Sequence, residues 1–295
     1  NTEIPSSSNA EDFIKFSEIH EIILNAMTST THGTGDARDT YMSNAITSLV
    51  GNKRVGIYTA EDLYNFSIAA SYNWREPATP NLYANLKTIK VIMGLHYALV
   101  SDIDYSTMKS KQFIPVGINL DLSDGTGGSS KTYLPFTGKF DGNGFTISNL
   151  YLADYNYITM VYRMVGDEEG STDADIPLSN YYAMFANVGT SAVIKNFQII
   201  NPILELLDVP DGLTKAAVLA GENNGIIENV AVIDAKTNAA GNDSSGIMWS
   251  LPYGAVQTTT FTAAGLVHTN NGTLQNSYYS ADRVVYSSSD YLFET

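Results

Sequence analysis

The chain has 295 residues, and 31 acidic against 16 basic side chains leave a net charge of −15. That surplus repels phosphate backbones and anionic lipid heads, which argues against nucleic acid as a partner. There is no cysteine, so disulfide scaffolds, thiolate metal centres and thiol catalysis are excluded.

Hydrophobic residues make up 44% of the chain, enough for a core, while charged residues make up 16%, below the usual ~25%. Ser, Thr, Asn and Tyr therefore build the polar surface. No apolar run reaches about 18 residues, so no membrane-spanning segment is expected. The opening NTEIPSSSNA reads as a polar tether of the kind that follows a removed signal or lipid-anchor sequence, which places any lipid anchor outside this chain.

Residues 11–27 set Phe13, Phe16, Ile19, Ile22 and Ile23 at helical spacing behind early acids, and an amphipathic helix is predicted. Residues 37–50 predict a second, with Tyr41, Met42, Ala45, Ile46 and Leu49 on one side. Thr59 is the expected N-cap of a third, with Asp62 as its capping-box acid. Leu63, Phe66 and Ala70 follow on one face, and Pro77 and Pro80 close the region. From Thr88 the period changes. Tyr97, Leu99, Ser101 and Ile103 alternate as in a half-buried strand, residues 113–118 read as another, and residues 121–131 have loop composition. The expected organisation is a helical N-terminal part over residues 1–87, capping one open edge, and a β part over residues 88–295.

The β part repeats. Ile147-Ser148-Asn149-Leu150-Tyr151-Leu152 returns as Ile194-Lys195-Asn196-Phe197-Gln198-Ile199, as Ile227-Glu228-Asn229-Val230-Ala231-Val232 and as Leu274-Gln275-Asn276-Ser277-Tyr278-Tyr279. Apolar residues stand first, fourth and sixth, except that Ser277 breaks the last copy. A step of three breaks strand parity, so the chain must bend between them, and Asn149, Asn196, Asn229 and Asn276 are expected to turn it in the left-handed conformation. Asn-Asn-Gly precedes two of the bends, at 223–225 and 270–272. Repeats of this length predict a β-solenoid in which the four Asn stack as an amide ladder.

Asp102-Ile103-Asp104, Phe113-Ile114-Pro115-Val116-Gly117, the block from Phe136 to Leu152, Ala183-Met184-Phe185-Ala186 and the unit from Leu219 to Val230 occur in that order. Together they resemble the GLUG-repeat family of bacterial surface and secreted proteins, whose repeats also occur beside immunoglobulin-A-cleaving metallopeptidases. The resemblance spans roughly residues 57–280. It implies a mainly β fold, a right-handed parallel β-helix with the helical part at its N-terminus. It also implies an extracellular, cell-surface location and adhesion, and it brings no catalytic residues.

No catalytic constellation is legible. His20-Glu21 opens a zinc-peptidase pattern, but Leu24 stands where the second His belongs. Tyr133 and Phe140 break the phosphate-loop pattern around Gly138-Lys139. Asp102, Asp104, Asp141 and Glu228 are the carboxylates a polysaccharide-cleaving enzyme would need, and they must converge in one groove for that alternative to stand. Candidate ligand-binding residues lie in two insertions: Tyr155, Tyr157 and Tyr162 in residues 154–179, and Trp249 and Tyr253 in residues 234–260. The acids Asp167, Glu168, Glu169, Asp173 and Asp175 lack helix-loop-helix calcium spacing, leaving only adventitious calcium. No metal or cofactor is expected. The expected function is non-catalytic adhesion to glycan or extracellular protein, with a carbohydrate-active enzyme and a structural stalk as the alternatives.

Overall fold

A parallel pair of strands needs a crossover to bring the chain back to the same end, and the chain here makes that return again and again. The computed structural model describes residues 13–70, 86–108, 113–117, 119–123, 129–152, 181–206, 215–234, 246–249 and 262–281. Within them the elements fall into seven rows, each opened by a strand.

Row one is β1 (Phe13–Lys15), α1 (Phe16–Thr28) and α2 (Asp36–Val50). Row two is β2 (Arg54–Ile57), α3 (Ala60–Ala69) and α4 (Leu86–Gly94). Row three opens with β3 (His96–Leu99) and β4 (Ile103–Asp104) and carries the antiparallel hairpin β5 (Asn119–Ser123) and β6 (Ser129–Tyr133). Row four is β7 (Lys139–Asp141), β8 (Thr146–Ser148), β9 (Tyr151–Leu152), β10 (Tyr181–Tyr182) and β11 (Phe185–Val188). Row five is β12 (Val193–Ile200), β13 (Ile203–Leu206), β14 (Lys215–Ala217) and β15 (Ala220–Asn223). Row six is β16 (Ile226–Asp234), β17 (Gly246–Trp249), β18 (Thr262–Ala264) and β19 (Val267–Asn270). Row seven is β20 (Thr273–Gln275) and β21 (Tyr278–Ala281).

The opening strands line up as β1-β2-β3-β7-β12-β16-β20 in one ten-stranded sheet, which also holds β4, β8 and β21. Three further parallel sheets run β9-β13-β17, β10-β14-β18 and β11-β15-β19. Register makes one inward column of Ile14, Val55, Tyr97, Phe140, Ile194, Ile227 and Leu274. All but Leu274 are buried, and each buried side chain contributes roughly 1.5–3 kcal/mol. Rings knit the helices to this column: Phe66 of α3 lies 4.5 Å from Tyr97, 6.2 Å from Phe140 and 6.5 Å from Phe136 between centroids. The Tyr97 hydroxyl donates to Ile92 O at 2.7 Å, and complete burial holds its pKa well above the ordinary value.

These findings overturn the expectation of a mainly β, right-handed parallel β-helix. The chain is an α/β structure with parallel sheets, and the described residues form no closed solenoid. Helices supply the crossovers of rows one and two. Nor is the N-terminal part a helical cap laid over a sheet edge: it contributes β1 and β2, the first two strands of the large sheet, and shares one apolar cluster with the later rows. The expected boundary after residue 87 falls inside α4. Strands of three and four residues beside helices are too short to show period two. Phe13, three residues before Phe16, simply lengthened the helical pattern.

The helices themselves form where capping and spacing place them. Thr59 Oγ1 accepts from Asp62 N, and Asp62 Oδ2 accepts from Thr59 N, each at 3.1 Å, so α3 opens with a complete capping box. Its neighbour α4 is capped from another helix. Buried Asp39 of α2 accepts from Lys87 N at 2.8 Å, Thr88 N at 2.9 Å and Thr88 Oγ1 at 2.6 Å.

Candidate functional site

Each bend is local chemistry. Asn149, Asn196, Asn229 and Asn276 all have positive φ, at 56°, 62°, 53° and 49°. Asn143 and Asn201 join them at 51° and 49°. Asn is the side-chain-bearing residue best suited to this region, because its short amide bonds locally. Asn229 Nδ2 donates to Asn196 Oδ1, and Asn196 Nδ2 to Asp141 Oδ1, both at 3.1 Å.

The expected four-membered ladder is corrected by the register. Asn196, Asn229 and Asn276 stack, since Lys195, Glu228 and Gln275 pair in succession. Asn149 does not join them. Ile147 pairs with Ile199 and Ser148 with Ile200, so Asn149 stands opposite Asn201, and its Nδ2 donates to Asp104 Oδ1 at 2.8 Å. Row five bends in this way twice, at Asn196 and again at Asn201. In row four Gly142 occupies the place beside Asn196, where a Cβ would collide with Phe197.

The four carboxylates do not converge. Asp102 Oδ1 accepts from Thr146 N at 2.8 Å, and Asp104 Oδ1 from Ser106 N at 2.9 Å. Asp141 Oδ1 accepts from Asn143 N at 3.0 Å, while its Oδ2 lies 3.6 Å from Lys195 Nζ. Glu228 is two strands from Asp141 in one column with Lys195 between them, a separation of roughly 10 Å. Each aspartate is committed to a turn or a bend. Among the described residues no group of three His, Cys, Asp or Glu is arranged to hold a metal ion. His96, exposed at the start of β3 and paired with Lys139, has its pKa lowered by partial desolvation and then by that ammonium.

Of the candidate ligand-binding residues, Tyr155, Tyr157, Tyr162 and Tyr253 lie outside the described residues, as does the acidic set from Asp167 to Asp175. Trp249 ends β17, where its backbone pairs with Leu206. What is described is the anchorage of the insertions. Residues 153–180 leave from β9 and return at β10, residues 207–214 leave from β13 and return at β14, and residues 250–261 leave from β17 and return at β18. Residues 207–214 and 250–261 leave from paired residues, Leu206 beside Trp249, while residues 153–180 leave two residues earlier along the same sheet, from Leu152 beside Leu204. The returns are register neighbours, Tyr182 beside Ala216 beside Ala263. Three connections in successive rows therefore leave from one sheet, β9-β13-β17, and return to another, β10-β14-β18, with the returns about 5 Å apart.

The last repeat, whose Ser277 suggests a fraying or capping end of the stack in the sequence, forms row seven. Leu274 is 37% exposed, Ile226 38% and Tyr278 53%, whereas Ile227, one strand in from Leu274, is wholly buried. Ser277 stands where the repeat loses its apolar residue. Its Oγ accepts from Val230 N at 3.1 Å and donates to Gln275 O at 2.9 Å.

Among the described residues no helix is long and apolar enough to cross a membrane. No family model matches the chain, and no solved structure matches it. It is 28% identical over 240 residues to Halomucin of Haloquadratum walsbyi (strain DSM 16790 / HBSQ001), an alignment covering 78% of this chain. The chain spans about 2% of the length of that relative.

Proposed function

We propose that this chain is a non-catalytic binding module of a cell-surface or secreted protein, adhering to glycan or to extracellular protein through the side that carries the insertions. The observation behind this reading is the common anchorage of residues 153–180, 207–214 and 250–261 on β9-β13-β17 and β10-β14-β18. Loops commonly carry function, and tyrosine and tryptophan are the residues that carry binding energy at interfaces. The commitment of Asp102, Asp104 and Asp141 to turns speaks for adhesion over cleavage. The resemblance to GLUG-repeat proteins and the likeness to a protein named Halomucin support a surface or secreted setting.

Screens against immobilised glycans and extracellular matrix proteins should find a saturable ligand. Trp249→Ala combined with Tyr253→Ala should then weaken it by roughly tenfold or more. Turnover of a polysaccharide, with no saturable ligand, would contradict the reading.

A further inference from the structure

The large sheet ends differently from how it runs. Among the described residues β18, β19, β20 and β21 are each paired on one side only. Thr273 N donates back to Gly225 O at 2.8 Å. Successive residues of a parallel strand bond to alternate sides, so the Leu274 N–H and C=O point away from β16. Leu274 ends the column Ile14-Val55-Tyr97-Phe140-Ile194-Ile227, and it is exposed where its predecessors are buried. An edge that offers main-chain groups beside apolar side chains is a template for another strand.

The geometry points to a second copy of this chain as the occupant, docked head to tail, with its β1 laid parallel on β20. Two observations favour that partner. The first is continuity: β1 and β20 are opposite edges of one sheet, every strand along the path runs the same way, and Ile14 heads the column that Leu274 ends. Docking in register sets Ile14 of the second copy over Leu274 and leaves the Phe13 N–H and C=O to bond β20, since the Lys15 N–H is held by Glu18 Oε2 at 2.9 Å. The second is charge. The outward column runs Lys15, Gly56, Ala98, Asp141, Lys195, Glu228, Gln275. The same docking lays Lys15 over Gln275, one strand from Glu228. Such a contact joins unlike surfaces and so continues rather than closes. Each copy carries −15, so long-range repulsion opposes the contact until salt screens it.

Sedimentation of the full chain over a roughly hundredfold concentration range, in dilute buffer and in about 1 M NaCl, tests the inference. The mass should rise from one copy towards two and more with concentration, and more steeply in salt. Leu274→Lys should stay at one copy with unchanged far-UV circular dichroism, because a charge on the edge blocks strand addition. Amide exchange over residues 273–281 should slow as concentration rises. A wild-type chain that stays monomeric throughout overturns the inference and leaves the edge to another protein's strand. Equal amide protection at the lowest concentration also overturns it, since the chain then covers its own edge. So does association that survives Leu274→Lys.

Discussion

At the scale of single residues, the bend asparagines join backbone strain to side-chain bonding. Asn196 holds φ at 62° while its amide donates to Asp141 and its carbonyl accepts from Asn229. Alanine there loses both bonds and keeps the unfavourable conformation, so Asn196→Ala should cost about 2–3 kcal/mol in urea unfolding. Asn196→Gly relieves the strain and loses only the bonds, and should cost about 1 kcal/mol. Equal losses for the two would mean that conformation contributes nothing. That these asparagines turn the chain was legible in the sequence, because a left-handed bend is decided within three or four residues. Which bend lies beside which was not. Ile147-Ser148-Asn149 matches Ile194-Lys195-Asn196 letter for pattern, yet it pairs with Ile199-Ile200-Asn201, because like strings serve two different bends.

At the scale of elements, local signals held and long-range ones did not show. The Thr59–Asp62 box that opens α3 spans three residues, and both of its bonds form. The cap of α4 comes from Asp39, 48 residues before Lys87, and no spacing in the chain announces it. Asp39→Ala leaves the Lys87 and Thr88 N–H groups and the Thr88 hydroxyl without their acceptor in a buried place. The expected cost is about 2–4 kcal/mol by thermal or urea unfolding, with amide exchange accelerated first in α4. A neutral substitution would show that the α2–α4 contact is held by its apolar side chains alone. Strands β1 and β2 escaped notice for a related reason. Their evidence is pairing with each other and with β3, which a linear pattern does not display.

At the scale of the whole molecule, the stacked register gives function a place. Seven rows in parallel put Tyr151 opposite Ile203 and Ile203 opposite Gly246, and this alone brings the roots of the three insertions to one side. The aromatic candidates were legible as residue types, with Tyr155, Tyr157 and Tyr162 in one insertion and Tyr253 in another. Their common side was not, because it depends on the register that the repeated bends disguise. The exposed row-seven edge follows from the same register, as the place where an apolar column stops at Leu274.

The chain's lack of cysteine makes that register open to direct measurement. Neighbouring Cα atoms in paired strands lie about 5 Å apart, within the span of a disulfide. In the double variant Tyr151→Cys with Ile203→Cys, mild oxidation should form an intramolecular disulfide, seen as a mobility shift lost on reduction. In Tyr151→Cys with Gln198→Cys, the pair that the repeat alignment would set side by side, it should not. Cross-linking of the second pair and not the first would contradict the register, and with it the shared face on which the proposed binding rests.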